Sequence, residues 1–169
     1  TLGAYQTTWA GGSGAGTLSG TDIGITKYSA DGTTRIYSTY LGGVSDELPH
    51  SLIVNGNDEL FIFGTTSSNN FPTTPNAYDR TYNGGPNPGP FNGLGVHYEF
   101  GSDIVIVRLS NDGTQLLAST YLGGSGMDGL NISLPLLYNY ADQVRGEIDI
   151  DDQNNVYVVT CTGSADFPI

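Results

Sequence analysis

The chain is poor in basic residues. Five Lys and Arg stand against 17 Asp and Glu in 169 residues, a formal charge of −12. Nucleic-acid binding needs Lys and Arg to displace phosphate counterions, so this balance argues against it, and against anionic membrane surfaces as well. A single cysteine, Cys161, leaves no intrachain disulfide framework. It lies in the strand-like run Val156 to Cys161 and is expected to be a buried, inert thiol. With only His50 and His97 beside that one cysteine, no zinc-ligand spacing exists. No run approaches the ~20 apolar residues of a membrane helix, and no long 3.6-residue periodicity points to helices. There is no initiator Met and no signal peptide at the start, from which a processed or excised piece is expected. Charged residues make up 13% of the chain, about half the usual ~25%.

Polarity comes instead from Gly, Ser, Thr, Asn and Tyr, a mixture suited to strands and tight turns. The chain also repeats itself. Asp22-Ile23-Gly24-Ile25-Thr26-Lys27-Tyr28-Ser29 matches Asp103-Ile104-Val105-Ile106-Val107-Arg108-Leu109-Ser110, and Ser38-Thr39-Tyr40-Leu41-Gly42-Gly43 recurs unchanged as Ser119-Thr120-Tyr121-Leu122-Gly123-Gly124, all at an offset of 81. The block from Leu60 to Pro72 matches Val156 to Pro168 at an offset of 96, and Gly3 to Gly12 matches Asn76 to Gly85 at 73. Offsets that change only between blocks indicate a fixed scaffold with variable loops.

Each unit reads as four strands, at about 22–29, 35–41, 50–55 and 59–66, and at about 103–110, 116–122, 146–151 and 156–162. Period-two alternation marks the first strand of each unit. Asp31-Gly32 and Asp112-Gly113 then supply hairpin turns, because Gly accepts positive φ. The expected fold is all-β, with β-propeller-type four-stranded antiparallel blades in two repeat units whose ends are permuted. The division is 1–20, the end of a preceding repeat and a linker; 21–100, a first repeat with a Pro/Gly-rich loop; and 101–169, a second repeat with an inserted loop at about 126–145. The C-terminal Phe167-Pro168-Ile169 followed by Thr1-Leu2-Gly3-Ala4-Tyr5 reads like Phe71 to Tyr78. Completion by further sequence or by other copies is therefore expected. Ile23, Ile25, Tyr40, Leu41, Phe61, Phe63, Ile104, Ile106, Tyr121, Leu122, Tyr157 and Val159 are the expected core, and Phe71 and Phe167 are expected to anchor the crossing to a next blade.

The Asp-Ile-x-Ile/Val, Asp-Gly, Ser-Thr-Tyr-Leu-Gly-Gly, Asn-x-Val-Tyr-Val and Ser-x-x-Phe-Pro pattern resembles the SBBP repeat, the bacterial seven-bladed β-propeller repeat. The resemblance covers most of the chain and departs from the pattern at 84–101 and 126–145. It implies tandem propeller repeats in a secreted or cell-surface bacterial protein, in some cases beside adhesion modules, and it implies no catalytic residues.

The residues themselves offer little chemistry. No Gly-x-Ser-x-Gly elbow is present, and the Gly-rich stretch 11–16 lacks the Lys-Ser/Thr of a phosphate loop. Glu147, Asp149 and Asp151 alternate with Ile148 and Ile150, which puts three acids on one strand face. Asp151, Asp152 and Asn154 in the following turn could add oxygen ligands for calcium; a solvated edge is the plainer reading. Trp9, Tyr82, Phe91, Tyr98, Tyr138 and Tyr140 fall in loop-like segments, where aromatics either stack on sugars or pack the loops. Asn131-Ile132-Ser133 is formally a glycosylation sequon, without weight in a bacterial protein. The expectation is a non-catalytic structural or interaction segment that assigns no catalytic, cofactor or metal residue. Its partners are further propeller repeats, copies of itself, or a cell-surface protein or glycan, without membrane insertion. A glycan- or calcium-binding adhesin module is the alternative, and a paired-acid polysaccharide hydrolase the distant one.

Overall fold

A computed structural model describes residues 1–11, 20–86, 98, 100–131 and 146–169. Among them the chain is all-β, with no helix. The strands are β1 (Ile23–Tyr28), β2 (Arg35–Leu41), β3 (Glu47–Val54), β4 (Leu60–Thr66), β5 (Asp103–Leu109), β6 (Leu116–Leu122), β7 (Gly146–Ile150) and β8 (Val156–Thr160). All eight match the strands expected from the sequence. The third strand of the first unit begins three residues earlier than expected, at Glu47, because the ladder continues through a bulge between Pro49 and Ser51.

The turns explain why the chain folds back where it does. Asp31 Oδ1 accepts hydrogen bonds from the Ser29 and Thr33 hydroxyls and from Thr33 N–H, and Asp112 Oδ1 does the same with Ser110 and Thr114. The glycine after each takes a positive φ, 72° at Gly32 and 71° at Gly113, where a side chain would be strained. Between β3 and β4, Asn55 Oδ1 accepts from Asn57 and Glu59 N–H. Between β7 and β8, Asp151 Oδ1 accepts from Gln153 and Asn155 N–H. Asp58 and Asn154, again equivalent positions, both adopt left-handed backbone, which short polar side chains tolerate best.

Strand pairing differs from the grouping expected from the repeats. β3, β4, β5 and β6 form the one four-stranded antiparallel sheet among the described residues, while β1–β2 and β7–β8 are two-stranded. The central ladder joins the two units, with Leu60 opposite Leu109 and Thr66 opposite Asp103. The sheet is thus out of phase with the sequence repeat by two strands, and the 100/101 division falls on the approach to one of its inner strands. Local repeats in sequence record which strands are alike; hydrogen-bond partners are chosen by which edges meet in space.

The three sheets stack. On one face of the four-stranded sheet, Leu60, Ile62, Val105, Val107 and Leu109 pack with Ile23, Ile25, Tyr37 and Leu41 of β1–β2. On the other, Phe61, Phe63 and Ile104 pack with Ile148 of β7, flanked by Ile150, Val158 and Phe167. Successive residues of a strand point to opposite faces, so β4 is buried along its whole length. Seven of the expected core residues are buried, and Ile106 and Leu122 are partly so. Tyr40, Tyr157 and Val159 are instead exposed, and so is Cys161. Their counterparts Tyr121, Phe61, Phe63 and Thr65 are buried by neighbours that these four lack among the described residues. Phe71, just past β4, packs edge-on against Tyr121 of the second repeat and lies in the cluster shared with β1–β2, while Phe167 flanks the cluster on the other face.

Two irregular segments cover strand edges in the same way. Tyr40 N–H donates to Gln6 O (3.0 Å), and Tyr121 N–H to Asp79 O (3.1 Å). Ser38 N–H donates to Thr1 Oγ1, and Ser119 N–H to Thr74 Oγ1. Residues 1–6 therefore shield β2 as 74–79 shield β6, which is the structural content of the 73-residue offset.

Candidate functional site

The feature that both repeats build with most hydrogen bonds is a pair of carboxylates beneath the Gly-Gly of each Ser-Thr-Tyr-Leu-Gly-Gly block. In the first repeat the pair is Asp22, just before β1, and Glu47, the first residue of β3. Glu47 is fully buried. Its carboxylate accepts from Gly43 N–H (3.1 Å) and from the Thr66 (2.6 Å) and Ser68 (2.5 Å) hydroxyls. Asp22 Oδ2 accepts from Ala10 N–H (2.8 Å). In the second repeat the pair is Asp103, opening β5, and Asp128. Asp128 is also fully buried and accepts from Gly124 N–H (2.8 Å) and the Thr162 (2.5 Å) and Ser164 (2.6 Å) hydroxyls. Asp103 accepts from Asn83 (2.7 Å) and Gly84 (3.0 Å) N–H.

The glycines are there because of the acids. A Cβ on Gly42 would lie 2.6 Å from Glu47 Oε2 and 2.7 Å from Asp22 Oδ1; one on Gly123 would lie 2.6 Å from Asp103 Oδ1 and 3.0 Å from Asp128 Oδ2. Those distances are below any ordinary carbon–oxygen contact. Burial pushes Glu47 up to about 7, assisted by the neighbouring charge of Asp22. Burial, together with the charges of Asp128 and Asp79, pushes Asp103 up to about 7. Asp22 is raised as well, chiefly by burial. Two carboxylates pressed together out of water favour the state in which one holds a proton.

Each knot ties four chain segments together: the edge-covering segment, the strand after it, the Gly-Gly corner, and the end of β4 or β8. Among the described residues none of the four acids lines the groove between β1 and β3 or the one beside β5 and β6; their oxygens face the protein's own donors and each other, with Asp22 Oδ1 buried without a hydrogen-bond partner. The sequence contained a signal for them. Asp22 and Asp103, and Glu47 and Asp128, sit at the same 81-residue offset as the hexapeptide, but acids that alternate with nothing give no periodic pattern to notice.

The residues weighed from sequence are dispersed. Ile148 is buried while Glu147 and Asp149 are exposed, as the alternation requires. Glu147 Oε2 accepts from the Ser51 hydroxyl and Asp149 Oδ1 from Ile150 N–H. Asp151 accepts from two backbone N–H groups, from Asn155 Nδ2 and from the Tyr157 hydroxyl, and these hydrogen bonds hold its carboxyl below the usual range. It is the acceptor of its own turn. Among the described residues no cluster of three or more His, Cys, Asp or Glu is placed to hold a metal ion.

Of the loop aromatics, Tyr98 is buried and meets Thr65 Oγ1 (2.9 Å). Tyr82 donates to Phe100 O and Gly101 O, and Trp9 is partly exposed. Phe91, His97, Tyr138 and Tyr140 lie outside the described residues, as does most of the 126–145 loop. His50 sits within β3, with Nε2 3.1 Å from Thr65 Oγ1 and its ring against Phe63; burial lowers it to about 4.

The larger groove, of about 650 Å³, runs between β1 and β3 and is lined by Ile23, Ile25, Leu52, Val54, Leu60 and Ile62 among others. It is mainly apolar, unlike a site that stacks and hydrogen-bonds a sugar. No family model matches the chain, and no curated protein matches it.

Proposed function

We propose that the chain is a non-catalytic structural and interaction segment of a β-propeller. It belongs to the SBBP kind of repeat and to a secreted or cell-surface bacterial protein, and it works by continuing a stack of antiparallel sheets with further repeats or copies. One observation carries this reading: the acid knot is built twice, from the same kinds of donor and acceptor, at the 81- and 96-residue offsets. A catalytic acid pair has to face a cleft that admits substrate, whereas these pairs face backbone N–H groups and hydroxyls. Low basic charge and Gly-, Ser-, Thr- and Asn-rich turns suit a solvent-facing scaffold.

Electron microscopy of a single polypeptide carrying several copies of the 169-residue unit in tandem tests the reading. Radial sheets around a central channel are expected. An extended, unclosed stack would end the propeller assignment. Turnover of a polysaccharide that is lost on Asp103→Asn would end the non-catalytic one.

A further inference from the structure

The four-stranded sheet is a template for a joint that the two-stranded sheets are shaped to make. β8 is the equivalent of β4 at an offset of 96, and β1 is the equivalent of β5 at an offset of 81. β4 and β5 are hydrogen-bonded neighbours. Among the described residues β8 pairs only with β7, and β1 only with β2. We infer that β8 of one copy adds to the open edge of β1 in a second copy, completing a four-stranded β7–β8–β1–β2 sheet. This rests on the repeat-scaffold reading above and goes further by naming the partner, a second copy of this chain, and the register.

The register follows from the template. Leu60 opposite Leu109 becomes Val156 opposite Tyr28, Phe61 opposite Arg108 becomes Tyr157 opposite Lys27, and Ile62 opposite Val107 becomes Val158 opposite Thr26. The pairs are chemically apt. Arg108 lies over the Phe61 ring at 5.4 Å, and Lys27 beside Tyr157 repeats a cation against an aromatic face. At Gly24, where β5 has Val105, an added Cβ would meet nothing within 4 Å, so the sheet face on that side of β1 is open there.

Face packing agrees with the edge pairing. Phe61 and Phe63 of β4 pack with Ile148 of β7. At the joint the same positions are Tyr157 and Val159 on β8, 61% and 70% exposed, and Leu52 on β3, 63% exposed. Val54, the equivalent of half-buried Ile150, is 51% exposed beside it. Leu52 and Val54 line the 650 Å³ groove between β1 and β3, which is where a β7–β8 hairpin added to β1 comes to lie. One docking event therefore pairs two open edges and covers both sets of exposed apolar side chains. Because the contact is heterologous, each copy offers one edge and receives at the other, and growth ends only in a ring or continues as a filament.

A cysteine pair tests the register. In a Cys161→Ser background, one batch carries Val156→Cys and another Tyr28→Cys; both positions are exposed. Mixed under mild oxidation, the two batches are expected to give a disulfide-linked heterodimer. Val156→Cys mixed with Thr26→Cys, two residues out of register, is expected to give at least tenfold less. Val159→Lys changes an exposed residue opposite Glu147 and so leaves the β-sheet circular dichroism signal and thermal midpoint of the single copy in place, while abolishing the cross-link and any higher-mass species in light scattering. Folded copies that stay monomeric and uncross-linked overturn the inference, and so does equal cross-linking out of register. If tandem copies nonetheless form a ring, the scaffold reading survives; if they do not, both fail.

Discussion

β4 and β8 are the same strand of the repeat in different company. Phe61 and Phe63 are 2% and 0% exposed, while Tyr157 and Val159 are 61% and 70% exposed. Thr65 is buried and Cys161, its equivalent, is not. Each strand opens on four consecutive apolar or aromatic residues, 60–63 and 156–159, and each has a partner strand on one edge. The difference is that β4 has β5 on its other edge and a sheet on each face, whereas β8 has β7 and the four-stranded sheet alone among the described residues. Burial in a repeat protein is a property of the neighbours a strand keeps, since each unit covers only the units beside it.

The comparison is broken most sharply by truncating one aromatic and its counterpart. Phe63→Ala should cost about 3–5 kcal/mol in urea unfolding, because a closely packed ring leaves a cavity. Val159→Ala should stay within about 0.5 kcal/mol, as for an exposed position. Equal losses would mean that β8 is covered in solution.

Titration sharpens it next, through the acid knots. The folded-state values of Glu47 and Asp103, about 7 each, lie above their unfolded values, so protonation favours the fold. Their stabilising effect is full below about pH 4 and is lost as pH rises through 7, up to about 3 kcal/mol for each group. Acids held low by turn hydrogen bonds, Asp31 at about 2 among them, act oppositely and only in acid. The thermal midpoint should therefore fall by about 10–20 °C between pH 5 and pH 8. Glu47→Gln should remove about half of that slope; an unchanged slope would show that Glu47 is not the titrating group.

The smallest effect compares two glycines of one repeat pattern. Gly123→Ala forces a methyl against Asp103 and Asp128 and should cost about 1–3 kcal/mol. Gly24→Ala meets open space and should be neutral or gain about 0.5 kcal/mol. Denaturant midpoints of the two variants check this, and a tolerated Gly123→Ala would show that the carboxylate pair can move apart.

Much of this was legible in the residues. Alternation in Ile23 to Tyr28 and Asp103 to Leu109, Asp-Gly at the hairpins and the repeated hexapeptide are local signals, and each marks a strand or turn that is present. The knots were less legible. Glu47 and Asp128 look like surface acids in a loop, and only the closure of Gly-Gly over them, with Thr66, Ser68, Thr162 and Ser164 brought from distant strands, makes them buried. Tyr40 is identical in its local sequence to Tyr121, but Phe71 and Tyr82 pack against Tyr121 alone.

The sequence by itself determined the strands, the turns and the equivalence of the two repeats, because side-chain alternation and positive-φ glycines act over a few residues. Tertiary structure decided which strands pair, which of two equivalent side chains is buried, and where the acids go. Those outcomes depend on edges and faces meeting between segments far apart in the chain, and the central sheet accordingly joins the end of one repeat to the start of the next.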